Sequence, residues 1–129
     1  MIQLQLISKI LETKDYSIIT ENMLDESYFL GYEEEFKYIK DHYTNYGNIP
    51  DKATFLDKFK DIELVDVTES DRYLVDKARE EQLFNKSANV VKRLRDLLVD
   101  DANVAVEYLL SQIPNLQPNY SINGVDIIK

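Results

Sequence analysis

Histidine and cysteine, the residues most often found in catalytic and zinc sites, are almost absent from this chain. Cysteine does not occur, and the single histidine is His42. A zinc site built around one histidine would need carboxylates for its other ligands, which is unusual. A nucleophile activated by His42 would need a third, orienting group, and Asp41 and Tyr43 cannot supply it because adjacent helical residues point apart. We therefore expect His42 to be a structural residue on a helix and the chain to hold no metal.

Acidic residues and glycines could form other kinds of site, but their spacing does not favour one. The acidic runs at 33–35 and 100–101 are consecutive, so their side chains would diverge on a helix rather than converge on one pocket. Gly31, Gly47 and Gly124 are far apart, and none begins the Gly-Lys-Ser/Thr run of a phosphate-binding loop. The sequence predicts neither an enzyme nor a bound cofactor.

Charge is distributed unevenly along the chain, whose formal net charge is −9. Residues 1–71 contain sixteen acidic and seven basic residues, whereas 72–129 contain eight of each. Because affinity for nucleic acid comes largely from Lys and Arg displacing counterions, the acidic half disfavours direct binding to DNA. The segment 77–95 is a local exception, with six basic and two acidic residues. We interpret it as a solvated helix face, and a DNA-binding accessory protein that uses this basic face remains an alternative.

The composition is that of a helical, globular protein. Hydrophobic residues make up 44% and charged residues 30% of the chain, which are ordinary values for a soluble domain. Only three glycines and three prolines occur, too few for a turn-rich β-sandwich. The N-terminus does not resemble a signal peptide, and no apolar run reaches the length of a membrane span. We expect a cytoplasmic protein that does not interact with a membrane.

Apolar residues recur at helical spacing along most of the chain, which predicts an all-α fold. The clearest stripe predicts a helix over 32–46 that ends before Gly47, and it is formed by Tyr32, Phe36, Ile39, Tyr43 and Tyr46. Similar patterns predict helices at about 2–13, 52–60, 71–98 and 102–113, a short helix after Asp15, and a loop over 62–67. Asp51, Ser70 and Asp101 are predicted N-caps.

The last two predicted helices are separated only by an acidic turn, so we expect an antiparallel helical hairpin. The predicted architecture is a small helical bundle head followed by this hairpin, together forming one domain over 1–113. Proline and asparagine become frequent from Pro114 onward, which indicates a linker or tail over 114–129.

The chain resembles the N-terminal domain of DnaB-type replicative DNA helicases, in a phage or phage-derived branch. The similar segments, which span about residues 3–113, are the first helix at 3–11, Phe29, Phe36-Lys37-Tyr38-Ile39, Gly47-Asn48-Ile49-Pro50-Asp51, Thr54-Phe55 and Tyr73-Leu74. Gln3 and Ser8 stand where the family usually has Glu and Gly. The location that this implies is the cytoplasm of a bacterium, or of the host if the protein is phage-encoded.

The resemblance implies a non-catalytic domain that mediates self-association of a helicase ring and docks primase or a helicase loader. In the family the helical hairpins pair, and an ATPase domain follows a linker, so contact with nucleic acid would be indirect. Here the hairpin would be 71–113, and its candidate interface residues are Val91, Leu94, Leu98, Ala102, Val106 and Leu109. A stand-alone helical adaptor that binds a host or phage replication protein is a further alternative.

Overall fold

The computed structural model describes residues 1–116, and all regular structure in that range is helical, as predicted. The α-helices are α1 (Ile2–Thr13), α2 (Ser17–Glu21), α3 (Glu33–Tyr46), α4 (Lys52–Lys58), α5 (Asp71–Asp100) and α6 (Ala102–Leu116). A short 3₁₀ helix spans Glu26–Tyr28. Within the described range, no helix is both long enough and apolar enough to cross a membrane.

The chain divides into two compact units, Met1–Glu80 and Glu81–Lys129. The first unit contains α1 to α4 and the beginning of α5. The second contains the remainder of α5 and all of α6, and it is described as far as Leu116. The predicted domain boundary at 113/114 stays a prediction, and residues 117–129 of the predicted linker or tail lie outside the described part.

The core of the first unit is built around α1. Its residues Leu6, Ile7, Ile10 and Leu11 are at most 1% exposed, because their spacing places them on neighbouring sides of the helix. Around them pack apolar residues of the other elements, which include Phe29, Phe36, Ile39, Phe55 and Leu74. Complete burial of one such side chain contributes about 1.5–3 kcal/mol. The first unit therefore has an apolar core of its own.

The loop that precedes α5 is fixed to α1 by polar contacts. The hydroxyl of Ser8, which is 3% exposed, accepts a hydrogen bond of 3.0 Å from the backbone N–H of Val65. Lys9 Nζ donates to the carbonyl of Glu69 at 2.6 Å and lies 2.8 Å from an Asp71 carboxylate oxygen. Residues 62–68 form no regular element, as predicted, and they follow the surface of the core.

Helix ends agree with most of the predicted caps. Gly47 follows α3 with a φ of 76°, and its N–H donates to the carbonyl of Tyr43 at 2.8 Å; glycine adopts this left-handed conformation without a Cβ penalty. Ser70 Oγ accepts from the N–H of Tyr73 at 3.2 Å, and Asp101 Oδ1 accepts from Asn103 at 2.9 Å. The caps predicted at Ser70 and Asp101 are confirmed.

Asp51 and Pro114 behave differently from the predictions. Asp51 occupies the N-cap position of α4, but its side chain makes no capping hydrogen bond and instead pairs with Lys14. The hydrogen bond from Lys14 lowers the pKa of the Asp51 carboxyl. The predicted end of the last helix at Ile113 is wrong, because α6 continues through Pro114 to Leu116. A proline in the last turn removes only one helical hydrogen bond, so it does not end the helix at once.

Candidate protein-interaction surface

A seam of reduced exposure runs along one side of each helix of the second unit. Val90 is 7% exposed and Ala105 is 0% exposed. The partly buried residues beside them are Leu94 and Leu97 on α5 and Leu109 and Gln112 on α6. Asp101 alone separates the two helices. On each helix the side that bears the seam is therefore covered, and the predicted antiparallel hairpin would place the two seams against each other.

A second set of apolar residues lies next to the seam and is exposed to solvent. On α5, Phe84, Val91 and Leu98 recur every seven residues and are 71%, 53% and 52% exposed. Because each residue advances about 100° around a helix, all three lie roughly 100° from the seam. On α6 the corresponding residues are Ala102, which is exposed, and Val106, Leu110 and Ile113, which are 52%, 62% and 42% exposed.

In the predicted antiparallel hairpin, the two exposed stripes belong to one side of the helix pair. When an antiparallel pair is viewed from one end, successive residues turn clockwise around one helix and anticlockwise around the other. Residues that lie the same angle from the shared seam on the two helices therefore point to the same side of the pair. We call this side the apolar face, and it consists of Phe84, Val91, Leu98, Ala102, Val106, Leu110 and Ile113.

The opposite side of the pair is mostly polar. About 100° from the seam in the other direction, α5 carries Gln82, Asn89, Asp96 and Asp100, and α6 carries Val104, Ser111 and Asn115. Val104, at 44% exposure, is the apolar exception. In the predicted hairpin the second unit therefore has one mostly apolar and one mostly polar side, and isolated exposed apolar residues would not produce that segregation.

Comparisons of the chain with protein-family models, with curated proteins and with solved structures found no match. The exposed apolar residues of this surface and the resemblance of individual segments are therefore the features from which a function can be inferred.

The six predicted interface residues fall into two groups. Val91, Leu98, Ala102 and Val106 are exposed, and the predicted hairpin would bring them together on the apolar face. Leu94 and Leu109 are partly buried and lie along the seam, because each follows a buried residue, Val90 or Ala105, by four positions. In the predicted hairpin they would contribute to the pairing of α5 with α6.

The predicted set omitted three large members of the apolar face, namely Phe84, Leu110 and Ile113. Phe84 is the most exposed of them at 71%. The signal that identifies Phe84 is its spacing: it lies seven residues before Val91, and Val91 lies seven residues before Leu98.

The basic residues of 77–95 do not form a single face. Lys77 lies 3.5 Å from Glu80 and 5.7 Å from the centre of the Tyr73 ring, and Arg79 donates to the carbonyl of Asn22 at 3.0 Å. Of the other four, Lys86 and Arg93 share one side of α5, while Lys92 and Arg95 lie on another. This division gives no continuous track for a nucleic-acid backbone.

His42 lies partly buried on α3, among aromatic residues. Its Nδ1 is 2.9 Å from the carbonyl of Asn48, and its ring centre is 4.9 Å from that of Tyr46. Within residues 1–116, no group of three or more His, Cys, Asp or Glu residues is arranged to hold a metal ion. The contacts of His42 join α3 to the segment that follows it.

Tyr16 and Tyr43 form the most closely stacked aromatic pair of the first unit, with ring centres 4.3 Å apart. Burial raises the pKa of the Tyr16 hydroxyl, and the nearby Tyr43 and Asp41 raise it further. A phenol with a raised pKa is neutral at physiological pH and is not an activated acid or base. This pair connects the segment before α2 to α3.

A small cavity of about 170 Å³ opens beside the end of α1, and its lining residues are Lys9, Ile10, Thr13, Asp15, Ile18 and Asp71. Its charged groups already have partners: Lys9 contacts Asp71, and Asp15 accepts a hydrogen bond of 2.9 Å from the N–H of Ser17. The hydrogen bonds from Ser17 lower the pKa of the Asp15 carboxyl. The cavity is therefore a weaker candidate for a functional site than the apolar face.

Proposed function

We propose that this chain is the non-catalytic N-terminal domain of a DnaB-type replicative helicase. In this proposal the first unit is the helical head and the second is the antiparallel hairpin. Copies of the helicase associate through the apolar face of the hairpin, and the domain docks primase or the helicase loader during DNA replication. ATP hydrolysis and contact with DNA belong to the motor domain of the same helicase.

The apolar face is the observation that carries this proposal. It consists of seven exposed apolar residues of α5 and α6, and six of them have large side chains. Soluble monomers rarely expose contiguous apolar patches of this kind, and such patches usually mark contacts with other proteins. An apolar surface also suits the two-fold contacts through which most homo-oligomers form.

The segments that resemble the helicase family have the roles expected of helix boundaries and core. Gly47 ends α3 in a left-handed conformation, and Asp51 stands immediately before α4. The rings of Phe29 and Phe36 stack in the core with their centres 4.5 Å apart. Because these residues position helices, their order along the chain supports a head architecture shared with the helicase family.

Sedimentation equilibrium over a range of concentrations tests the proposed association. We expect the unaltered chain to form dimers or larger oligomers, and Leu98→Asp to weaken this association at least tenfold, because a carboxylate would be buried in an apolar contact. Asn89→Asp adds the same charge to the polar side of α5 and serves as the matched control. The proposal fails if Leu98→Asp and Asn89→Asp associate equally well.

Binding to the replication proteins of the same genome tests the docking role. Titration calorimetry with the cognate primase, and separately with the cognate loader, should detect binding of at least one of them to the oligomeric chain. If the chain associates through the apolar face but binds neither protein, the helicase assignment is wrong.

A further inference from the structure

The cavity beside the end of α1 is apolar inside and polar at its opening. Ile10 and Ile18, which line it, are only 1% and 4% exposed. Three further lining residues, Thr13, Asp15 and Asp71, are exposed to solvent. The aliphatic carbon therefore lies deeper than the polar groups, and all of these residues belong to the first unit.

One negative charge in the lining has no cation beside it. The ammonium of Lys9 lies 2.8 Å from the Asp71 carboxylate, so these two lining charges balance each other. Asp15 takes part in no ion pair within residues 1–116. Hydrogen bonds from Ser17 lower the pKa of the Asp15 carboxyl, so it is ionised at neutral pH. The cavity as a whole is therefore negatively charged.

The opening of the cavity also has a neutral acceptor. Thr13 Oγ1 donates its hydrogen to the carbonyl of Lys9 at 2.8 Å, so the lone pairs of the hydroxyl oxygen remain able to accept a hydrogen bond. An ammonium group has three N–H donors and no acceptor. Asp15 and Thr13 therefore offer the kind of groups that an ammonium requires.

The charge of the first unit favours a cationic ligand over an anionic one. Residues 1–80 contain eighteen acidic and ten basic residues, which gives this unit a formal net charge of 10 − 18 = −8. A surface concavity lined by charge of one sign raises the local concentration of ions of the other sign. Phosphates and carboxylates would be repelled for the same reason.

We infer that the cavity binds a small primary alkylammonium ion, whose hydrocarbon end lies against Ile10 and Ile18 and whose ammonium contacts Asp15 and Thr13. The cavity measures about 170 Å³, and one water molecule needs only about 10–15 Å³ of such space, so a chain of several non-hydrogen atoms fits. A lysine side chain of another protein would enter with its ammonium first and would place the charge beside the isoleucines, which is costly. Binding of an amine here is independent of association through the apolar face.

Titration with n-butylammonium chloride, followed by the backbone amide resonances of the full chain, tests this site. At constant ionic strength we expect saturable shifts at Thr13, Asp15 and Ile18 in the millimolar range. 1-Butanol has the same hydrocarbon chain without the charge and should bind about fivefold more weakly. Nα-acetyl-lysine amide carries its ammonium on a tethered chain and should also bind more weakly. The inference is overturned if butylammonium gives no saturable shift, or if either of the other two compounds binds equally well.

Asp15→Asn and Asp25→Asn are a matched pair of variants. Each aspartate accepts a hydrogen bond from the N–H of the serine two positions later, at 2.9 Å for Asp15 and 3.0 Å for Asp25, and asparagine keeps an oxygen acceptor for it. Both variants lose one negative charge, but Asp25 is not a lining residue of the cavity. Asp15→Asn should weaken the binding of butylammonium about fivefold, and Asp25→Asn should leave it unchanged. Equal affinities of the two variants would show that the amine does not bind in this cavity.

Discussion

The two units of this chain differ in how far they bury their own apolar residues. In the first, Leu6, Ile7, Phe29 and Phe55 are completely buried. In the second, between residues 81 and 116, only Val90 and Ala105 are less than a tenth exposed. The large apolar residues of that range that are at least 42% exposed are Phe84, Val91, Leu98, Val99, Val104, Val106, Leu110 and Ile113.

The difference follows from the number of helices that surround each apolar side chain. In the first unit, α1 is contacted by residues from several elements, so most of its circumference is covered. A pair of helices shares a single seam, and each helix can bury only the side that faces the other. The first unit is therefore stabilised by apolar contacts within itself, whereas the second unit leaves apolar surface exposed that another protein could cover.

Removal of one phenyl ring from each unit should give the largest contrast. Phe55→Ala should lower the free energy of unfolding by about 3–5 kcal/mol, because it leaves a cavity in a closed core. Phe84→Ala makes the same chemical change at a residue that is 71% exposed and should cost less than about 1 kcal/mol. Urea unfolding at concentrations where the chain is monomeric measures both. Equal losses would contradict the distinction between the units.

Loss of the cap at Asp101 should have a smaller effect, confined to the second unit. Its carboxylate accepts hydrogen bonds from the N–H groups of Asn103 and Val104, and replacement of such a cap by alanine costs about 0.5–2 kcal/mol. Asp101→Ala should therefore accelerate amide hydrogen exchange in α6 and leave α1 unchanged. Asp100→Ala removes a neighbouring charge without removing the cap and is the control. Faster exchange throughout α1 would show that the units do not unfold separately.

Much of the helical framework could be predicted from the sequence, because apolar spacing and capping residues are local signals. The helix over 32–46 and the caps at Ser70 and Asp101 are of this kind. The tyrosines of the same helix show the limit of periodicity. Phe36 and Ile39 are buried, whereas Tyr46 is 72% exposed at the end of α3. Spacing identifies a side of a helix, but it does not say how far the core extends along it.

Other differences depend on contacts between residues distant in sequence or on a single helical position. Asp51 is a good N-cap by residue type, yet its carboxylate pairs with Lys14, which lies 37 residues earlier in the sequence. Leu94 and Val91 are both apolar members of α5, but a difference of about 60° around the helix puts Leu94 on the seam and Val91 on the apolar face. The sequence pattern alone does not say which of these two positions is covered by another helix.

Methyl groups on the two sides of the second unit provide the most direct test of whether a protein covers the apolar face. We would label valine and leucine methyl groups and measure their relaxation by a soluble paramagnetic probe, at low and high protein concentration. The account predicts that Val91, Leu98 and Val106 become protected as concentration rises, while Val104, on the polar side, stays accessible. Equal accessibility of all four residues at every concentration would contradict it.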